Sequence, residues 1–311
     1  MLRMRAVSGE DIDAFDLANF LESVPEGMHP VRALKHRLQT LCGLSRFRQR
    51  LWFLDGDVVL DDEHAVRPGE VQVVLLSFCS SSQEQMNALW DAARNGRAAE
   101  VESILQRPQD PDDKAWSLGL TPLFMAAHHG HLKVVRLLLE ANADKDKAVE
   151  IGATPLYTAA QKGQLEVVRL LLEANADKDK AVRSGATPLH IAAQNEKLEV
   201  VRLLLEANAD TDKAVEDGCT PLHTAARKGH LEVARLLLEA HADKDKAKDD
   251  GATPLFIAAQ NGQAEVARLL LEASADKQKA INDGSTPLSI AVQNDHLEVV
   301  CLLRDGGQCG G

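Results

Sequence analysis

The chain of 311 residues carries a formal charge of −12 and no long basic run, which sets aside nucleic acid and anionic membranes as main partners. Only 4% of it is aromatic, so a core has to be built from Leu, Val and Ala, and the length allows about two or three units. The five cysteines (Cys42, Cys79, Cys219, Cys301, Cys309) are odd in number, scattered and form no Cys-x-x-Cys, so free thiols are expected in a soluble, cytoplasmic monomer, the nucleus being the alternative.

At the N-terminus, Arg3 and Arg5 are followed by Glu10, Asp11, Asp13 and Asp16 instead of an apolar signal core. Leu2-Arg3-Met4-Arg5 and Arg50-Leu51-Trp52-Phe53 alternate, and Val71-Gln72-Val73-Val74-Leu75 is mostly apolar, so three strands are predicted. Residues 31–38 have helical spacing, with Pro30 at the start and Gly43 beyond the end. The run 71–78 is far too short to span a membrane. Residues 1–79 thus read as a small α+β domain, followed by a polar linker at 80–84 that begins Ser-Ser-Ser-Gln.

The element order, the phrase Arg50-Leu51-Trp52-Phe53-Leu54-Asp55-Gly56, Leu60 and the final Val-rich strand resemble a ubiquitin-like β-grasp domain, although the segment 10–30 is longer than that family needs. The resemblance implies an exposed apolar patch on Val7, Trp52 and Val74, and ubiquitin or proteasome machinery as a partner. Trp52 either anchors such an interface or packs against the following repeat. No conjugating diglycine stands where the domain ends, so a fixed recognition module is expected and Gly310-Gly311 read as a tail at 308–311.

Six Thr-Pro-Leu tripeptides then recur every 33 residues, at Thr121, Thr154, Thr187, Thr220, Thr253 and Thr286. A period of this size marks a stack of supersecondary units. In the copy at 154–186, Thr154 can cap a helix with Pro155 at its first position. Leu156, Ala159 and Ala160 form its apolar stripe and Gly163 ends it. Gln164 starts the turn to a second helix that buries Leu165, Val168, Leu171 and Leu172 and shows Glu166, Arg169 and Glu173 to solvent. Asn175, like Asn142 and Asn208, falls where left-handed dihedrals are needed; His241 and Ser274 suit that position less well. Lys-Asp-Lys ladders, read as a solvated edge, lead through an extended finger to the next copy.

Thr220-Pro221-Leu222-His223-Thr224-Ala225-Ala226 and Gly229-His230-Leu231-Glu232-Val233 carry a close resemblance to the ankyrin repeat. It implies a mainly α solenoid of about seven helix-turn-helix repeats over 85–307, near 85–120, 121–153, 154–186, 187–219, 220–252, 253–285 and 286–307. The first is degenerate, and Arg304 replaces a leucine in the last, as a capping repeat requires. Phe124, Tyr157, Phe256 and Ser289 replace the motif histidine and are expected to lose its bond to the threonine; Glu196 in place of a helix-ending glycine is expected to strain its turn.

Positions that differ between copies are free of stacking duty, with neutral drift as the alternative to a binding role. They cluster on the first helix, just after its alanines, and at the finger tips. The resemblance places these on a concave groove that grips protein partners, with Trp116, Leu118, Val149 and Ile151 as an apolar anchor and Phe124, His128, Tyr157, Lys162, Arg183, His190, His223 and Phe256 along it. His128, His129 and His131 form a dense cluster, but adjacent helical side chains diverge by about 100°, which disfavours a metal site. Cys42 and Cys301 read as packing residues; Cys219, beside a finger glycine, is weighed between packing and exposure to oxidation. No phosphate loop, serine elbow or zinc-binding His-Glu-x-x-His occurs, so neither catalysis nor a cofactor is expected.

Overall fold

The computed structural model describes residues 2–6, 11–26, 28–42, 45–53, 59–60, 62, 66, 69–76, 82–107, 109–113 and 119–305. Val7, Gly43, the 54–56 stretch, Cys79, Trp116, Leu118, Cys309 and the tail at 308–311 lie outside them. Sixteen helices and one five-stranded sheet occur among the described residues. The chain divides into two compact units, Met1–Ala126 with Lys133–Asp144, and Ala127–Leu132 with Lys145–Gly311.

The first unit opens with β1 (Leu2–Ala6), β2 (Asp11–Phe15), α1 (Leu17–Ser23), α2 (Pro30–Cys42), a 3-10 turn at Arg46–Arg48, β3 (Gln49–Phe53), β4 (Val59–Leu60) and β5 (Gly69–Leu75). The strand order is β2-β1-β5-β3-β4, with β1 parallel to β5 and the other pairs antiparallel. Alternation decides which side chains go inward: Leu2 and Met4 on β1, Leu51 on β3, and Val71 and Val73 on β5 are buried, and the helical stripe Val31, Leu34 and Leu38 joins the same core. Of the elements here, β2, α1, the 3-10 turn and β4 were not predicted. Residues 11–15 form a strand despite two aspartates, because Ile12 and Phe15 pack on the core and Asp13 is neutralised by Arg37 at 2.6 Å. Asp16 then caps α1 by accepting from the Ala18 N–H at 3.1 Å. Together they use up the extra length of the 10–30 segment.

Helices α3 (Gln83–Arg94) and α4 (Ala98–Leu105) follow, α3 starting ahead of the expected array boundary with Ser82 and Gln85 forming a capping box. Next come α5 (Pro122–His129) and α6 (Leu132–Glu140).

In the second unit the helices come in pairs: α7 (Pro155–Lys162) and α8 (Leu165–Glu173), α9 (Pro188–Gln194) and α10 (Leu198–Glu206), α11 (Pro221–Lys228) and α12 (Leu231–Glu239), α13 (Pro254–Gln260) and α14 (Ala264–Glu272), α15 (Pro287–Gln293) and α16 (Leu297–Asp305). Each first helix starts with a threonine hydroxyl accepting from the N–H three residues on, as Thr154 does from Tyr157 at 3.1 Å, and with proline at its head. Leu156, Ala159 and Ala160 are fully buried. On α8 the buried set is Val167, Val168 and Leu171; Leu165 and Leu172 are only half-buried, so the apolar stripe sits one residue away from its predicted centre. Leu297 of α16 is 73% exposed, where its counterparts Leu165, Leu198 and Leu231 are half-buried.

Asn142, Asn175, Asn208, His241 and Ser274 all have φ between 58° and 63°, the left-handed turn predicted for that position, and Glu196 is forced to φ 52°. The Lys-Asp-Lys ladders do more than edge the solvent. In the second unit, Asp146 accepts from the Asp177 N–H at 2.8 Å, Asp179 from Asp210, Asp212 from Asp243 and Asp245 from Asp276, so each copy ties the next. Lys180 Nζ adds a bond to the Asp146 carbonyl at 2.9 Å.

The fingers are joined by backbone bonds, Arg183 N–H to Ile151 O at 3.0 Å and Glu216 N–H to Ser184 O at 3.2 Å among them. This proximity explains one glycine. Gly185 sits at φ +85°, and a Cβ there would lie 2.8 Å from the Val215 Cα, whereas Gly284, at φ +87°, has open space. Gly185→Ala is therefore expected to cost about 1–3 kcal/mol more than Gly284→Ala, the overpacking penalty alone, in paired urea titrations.

Candidate protein-binding groove

In the second unit, two rows of side chains stay exposed in every copy. One is the finger tips: Glu150 and Ile151, Arg183 and Ser184, Glu216 and Asp217, Asp249 and Asp250, Asn282 and Asp283. The other is the end of each first helix, represented by Lys162, Gln194, Arg227, Gln260 and Gln293. Between them lie hollows. One of about 380 Å³ is lined by Ser184, Glu216 and Asp217 from the fingers and Gln194 and Arg227 from the helices; another of about 440 Å³ is lined by Arg227, Lys248, Asp250 and Gln260. Lys248 Nζ lies 3.1 Å from Asp250 and 3.7 Å from Asp217. The Ala252 N–H donates to the Asp250 carboxylate and, with Lys248, outweighs burial to hold that carboxyl below its usual range.

The predicted lining residues divide sharply. Ile151 is 61% exposed, Lys162 and Arg183 are exposed, and His128 and Tyr157 are half-buried, burial pushing the Tyr157 phenol up. Phe124, Val149 and His223 are instead buried and line neither hollow; His190 and Phe256 are buried too, yet His190 lines the first hollow and Phe256 the second. The reason lies in where this side chain reaches. His190 Nε2 meets the Cys219 carbonyl at 3.1 Å and His223 Nε2 meets the Ala252 carbonyl at 3.0 Å, each just ahead of the next Thr-Pro-Leu. The position is a joint between copies. Ser289 also departs from expectation, because its hydroxyl accepts from the Thr286 N–H at 2.8 Å and restores a bond to the cap.

A family model described as ankyrin repeats in three copies matches residues 89–182, 175–248 and 240–309. The chain belongs to the ankyrin-repeat family. A stretch of 84 residues of the chain is 37% identical to part of oxysterol-binding protein-related protein 1 from Rattus norvegicus and from Mus musculus. That stretch is 26% of this chain and spans only 9% of each relative.

Other side chains singled out in the ankyrin array resolve as follows. The His128 and His129 rings do not diverge but meet edge to face with centroids 4.9 Å apart, while His128 Nδ1 lies 2.9 Å from the Thr158 hydroxyl. Among the described residues no three His, Cys, Asp or Glu side chains are grouped to hold a metal, and no helix is long and apolar enough to cross a membrane. Cys219 is buried, which pushes its thiol up, and Arg227 Nη2 approaches its sulfur at 3.5 Å. Cys301 is half-buried on α16.

Within the first unit, Val74 is half-buried on β5, and Trp52 belongs to β3 with its side chain outside the described residues. Sequence reasoning missed the dominant feature here, Arg46. Its side chain is fully buried and pairs with Asp62, with Glu102 of α4 at 2.8 Å and with Glu140 of α6 at 3.0 Å. Arg32 also reaches Glu102 at 2.6 Å, and Lys35, 2% exposed, binds Asp62 at 2.6 Å. Burial raises the Asp62 carboxyl, but the bond and charge of Lys35 with Arg46 and Arg32 outweigh it and hold the carboxyl low. No local pattern marks Arg46, whose two repeat partners lie 56 and 94 residues away in sequence.

Proposed function

We propose that this ankyrin protein is a non-enzymatic scaffold that holds a protein segment between its finger tips and first-helix ends, without a cofactor. The observation that carries this is Ile151. It is 61% exposed at a finger tip where the other copies place Ser184, Asp217, Asp250 and Asp283, and an exposed large aliphatic gives a partner an apolar anchor. Ile151→Ser is expected to weaken capture of a lysate partner about tenfold while the urea midpoint stays put. Equal recovery of the same proteins by both baits would sink the assignment.

For residues 1–79 we propose a ubiquitin-like β-grasp module ahead of an array at 85–307. The strand order β2-β1-β5-β3-β4, with β1 parallel to β5, supports it. On that reading the face carrying Val74 docks a second partner such as ubiquitin or the proteasome machinery, in the cytoplasm. A second role is favoured by Arg46: the domain buttresses the first two repeats, because the bonds reach second-helix residues Glu102 and Glu140.

A further inference from the structure

The buttress role draws on charge. From the N-terminal domain to α4 and α6 run Arg46 and Arg32 to Glu102 and Glu140, Gln39 Nε2 to Asn142 Oδ1 at 3.2 Å, and Arg50 to the Gln106 carbonyl. These are hydrogen bonds and ion pairs among the described residues. A cavity of about 580 Å³ remains among them, lined by His29, Arg32 and Arg50 on one side and by Ala99, Glu102 and Gln106 on the other. The N-terminal domain has an apolar core of its own: Leu2, Met4, Val31, Leu38, Val71 and Val73 belong to a cluster in which every described member precedes residue 74.

These two facts fix different free energies. A domain with its own core keeps its fold when it leaves an incompletely filled interface, and such interfaces permit relative motion of domains. The pairs themselves are only partly withdrawn from water: Arg32, Glu102 and Glu140 keep 30%, 34% and 23% of their side-chain surface. Solvent therefore recovers most of what the pairing loses on opening.

We propose that the N-terminal domain is a detachable module, latched to α4 and α6 by charge, and that the latch opens without unfolding either part. Closed, Glu102 and Glu140 neutralise Arg46 and Arg32; open, Arg46 retains Asp62, so the domain keeps one carboxylate for its buried guanidinium. The proposal rests on the buttress reading, and the test separates the two.

The variant is Glu102→Gln with Glu140→Gln in the full chain, which removes both repeat carboxylates and leaves Arg46–Asp62 intact. Small-angle scattering of wild type and variant in low salt gives the maximum dimension, and hydrogen exchange of α2 and β5 reports whether the domain stays folded. The expected result is a compact wild type, a longer variant, and α2 and β5 exchange within about twofold of wild type, because the domain core is untouched. An extended wild type would overturn the buttress reading itself. A variant as compact as a compact wild type, or one whose α2 and β5 amides lose protection as it extends, would overturn the latch.

Discussion

Replacing Arg46 by Met lowers the stability of the first unit by about 3–5 kcal/mol, the cost of removing one partner from a buried ion cluster. The guanidinium is fully buried and meets three carboxylates, so its loss strands Asp62, Glu102 and Glu140 near one another with Lys35 and Arg32 as the remaining cations in the network. Its face also lies over the Phe47 ring at 4.0 Å, a contact Met replaces only in part. Urea titration followed through hydrogen exchange of β1, β5 and α4 measures the loss. The control is Arg169→Met, whose exposed 3.8 Å pair with Glu166 is worth about 0–1 kcal/mol. Adding Glu140→Gln to Arg46→Met should restore part of the stability, since Glu140 then keeps only Arg32 at 3.9 Å. If Arg46→Met costs no more than Arg169→Met, the cluster does not hold the unit together. Acid acts on this network late. The Asp62 carboxyl is held below its usual 3.8, so its contribution is present above that pH and fades only as pH falls through its lower folded value.

What could be read from the chain divides along physical lines. The caps were legible because Thr-Pro at a helix start has one local meaning, and the left-handed turns because Asn occupies three of five equivalent positions. The burial of Phe124, His190, His223 and Phe256 was not foreseen because variation between copies looked like freedom. These side chains differ in polarity but mostly share bulk, and bulk was the signal that a slot was being filled. Strand β2 escaped because Asp11 and Asp13 mask the alternation of Ile12 with its neighbours. Arg46 was beyond reach for a different reason: its meaning depends on carboxylates that only the tertiary fold brings to it. The exposure of Ile151, Lys162 and Arg183 was legible because they vary at positions the stack leaves to solvent.

Acidification from pH 7 to 4.5 is expected to remove about 2–3 kcal/mol from the ankyrin array through His223 alone. The ring is fully buried, with Nδ1 2.8 Å from the Thr220 hydroxyl and 3.2 Å from the Thr220 backbone nitrogen, and Nε2 3.0 Å from the Ala252 carbonyl. A carbonyl can only accept and a backbone N–H can only donate, so Nε2 carries the proton and Nδ1 takes the bond from Thr220. That neutral tautomer satisfies both sides; a second proton on Nδ1 would confront the Thr220 N–H inside the stack. Burial, partly opposed by the Ala252 carbonyl, lowers the imidazole from 6.5 to about 4. The sign follows from that direction. The unfolded chain takes up a proton as pH falls through 6.5 while the folded one does not until about 4, so the stabilisation is whole above 6.5 and is lost progressively between the two. His190, buried between Thr187 and the Cys219 carbonyl in the preceding copy, is shifted the same way and adds to the slope. Phe256 fills the equivalent slot in the following copy, so His223→Phe fits the space, and its stability at pH 7 matters less than its slope. Urea midpoints at pH 7 and 4.5 should draw together in His223→Phe relative to wild type; an unchanged gap would mean that the acid sensitivity of the array lies elsewhere than in this joint.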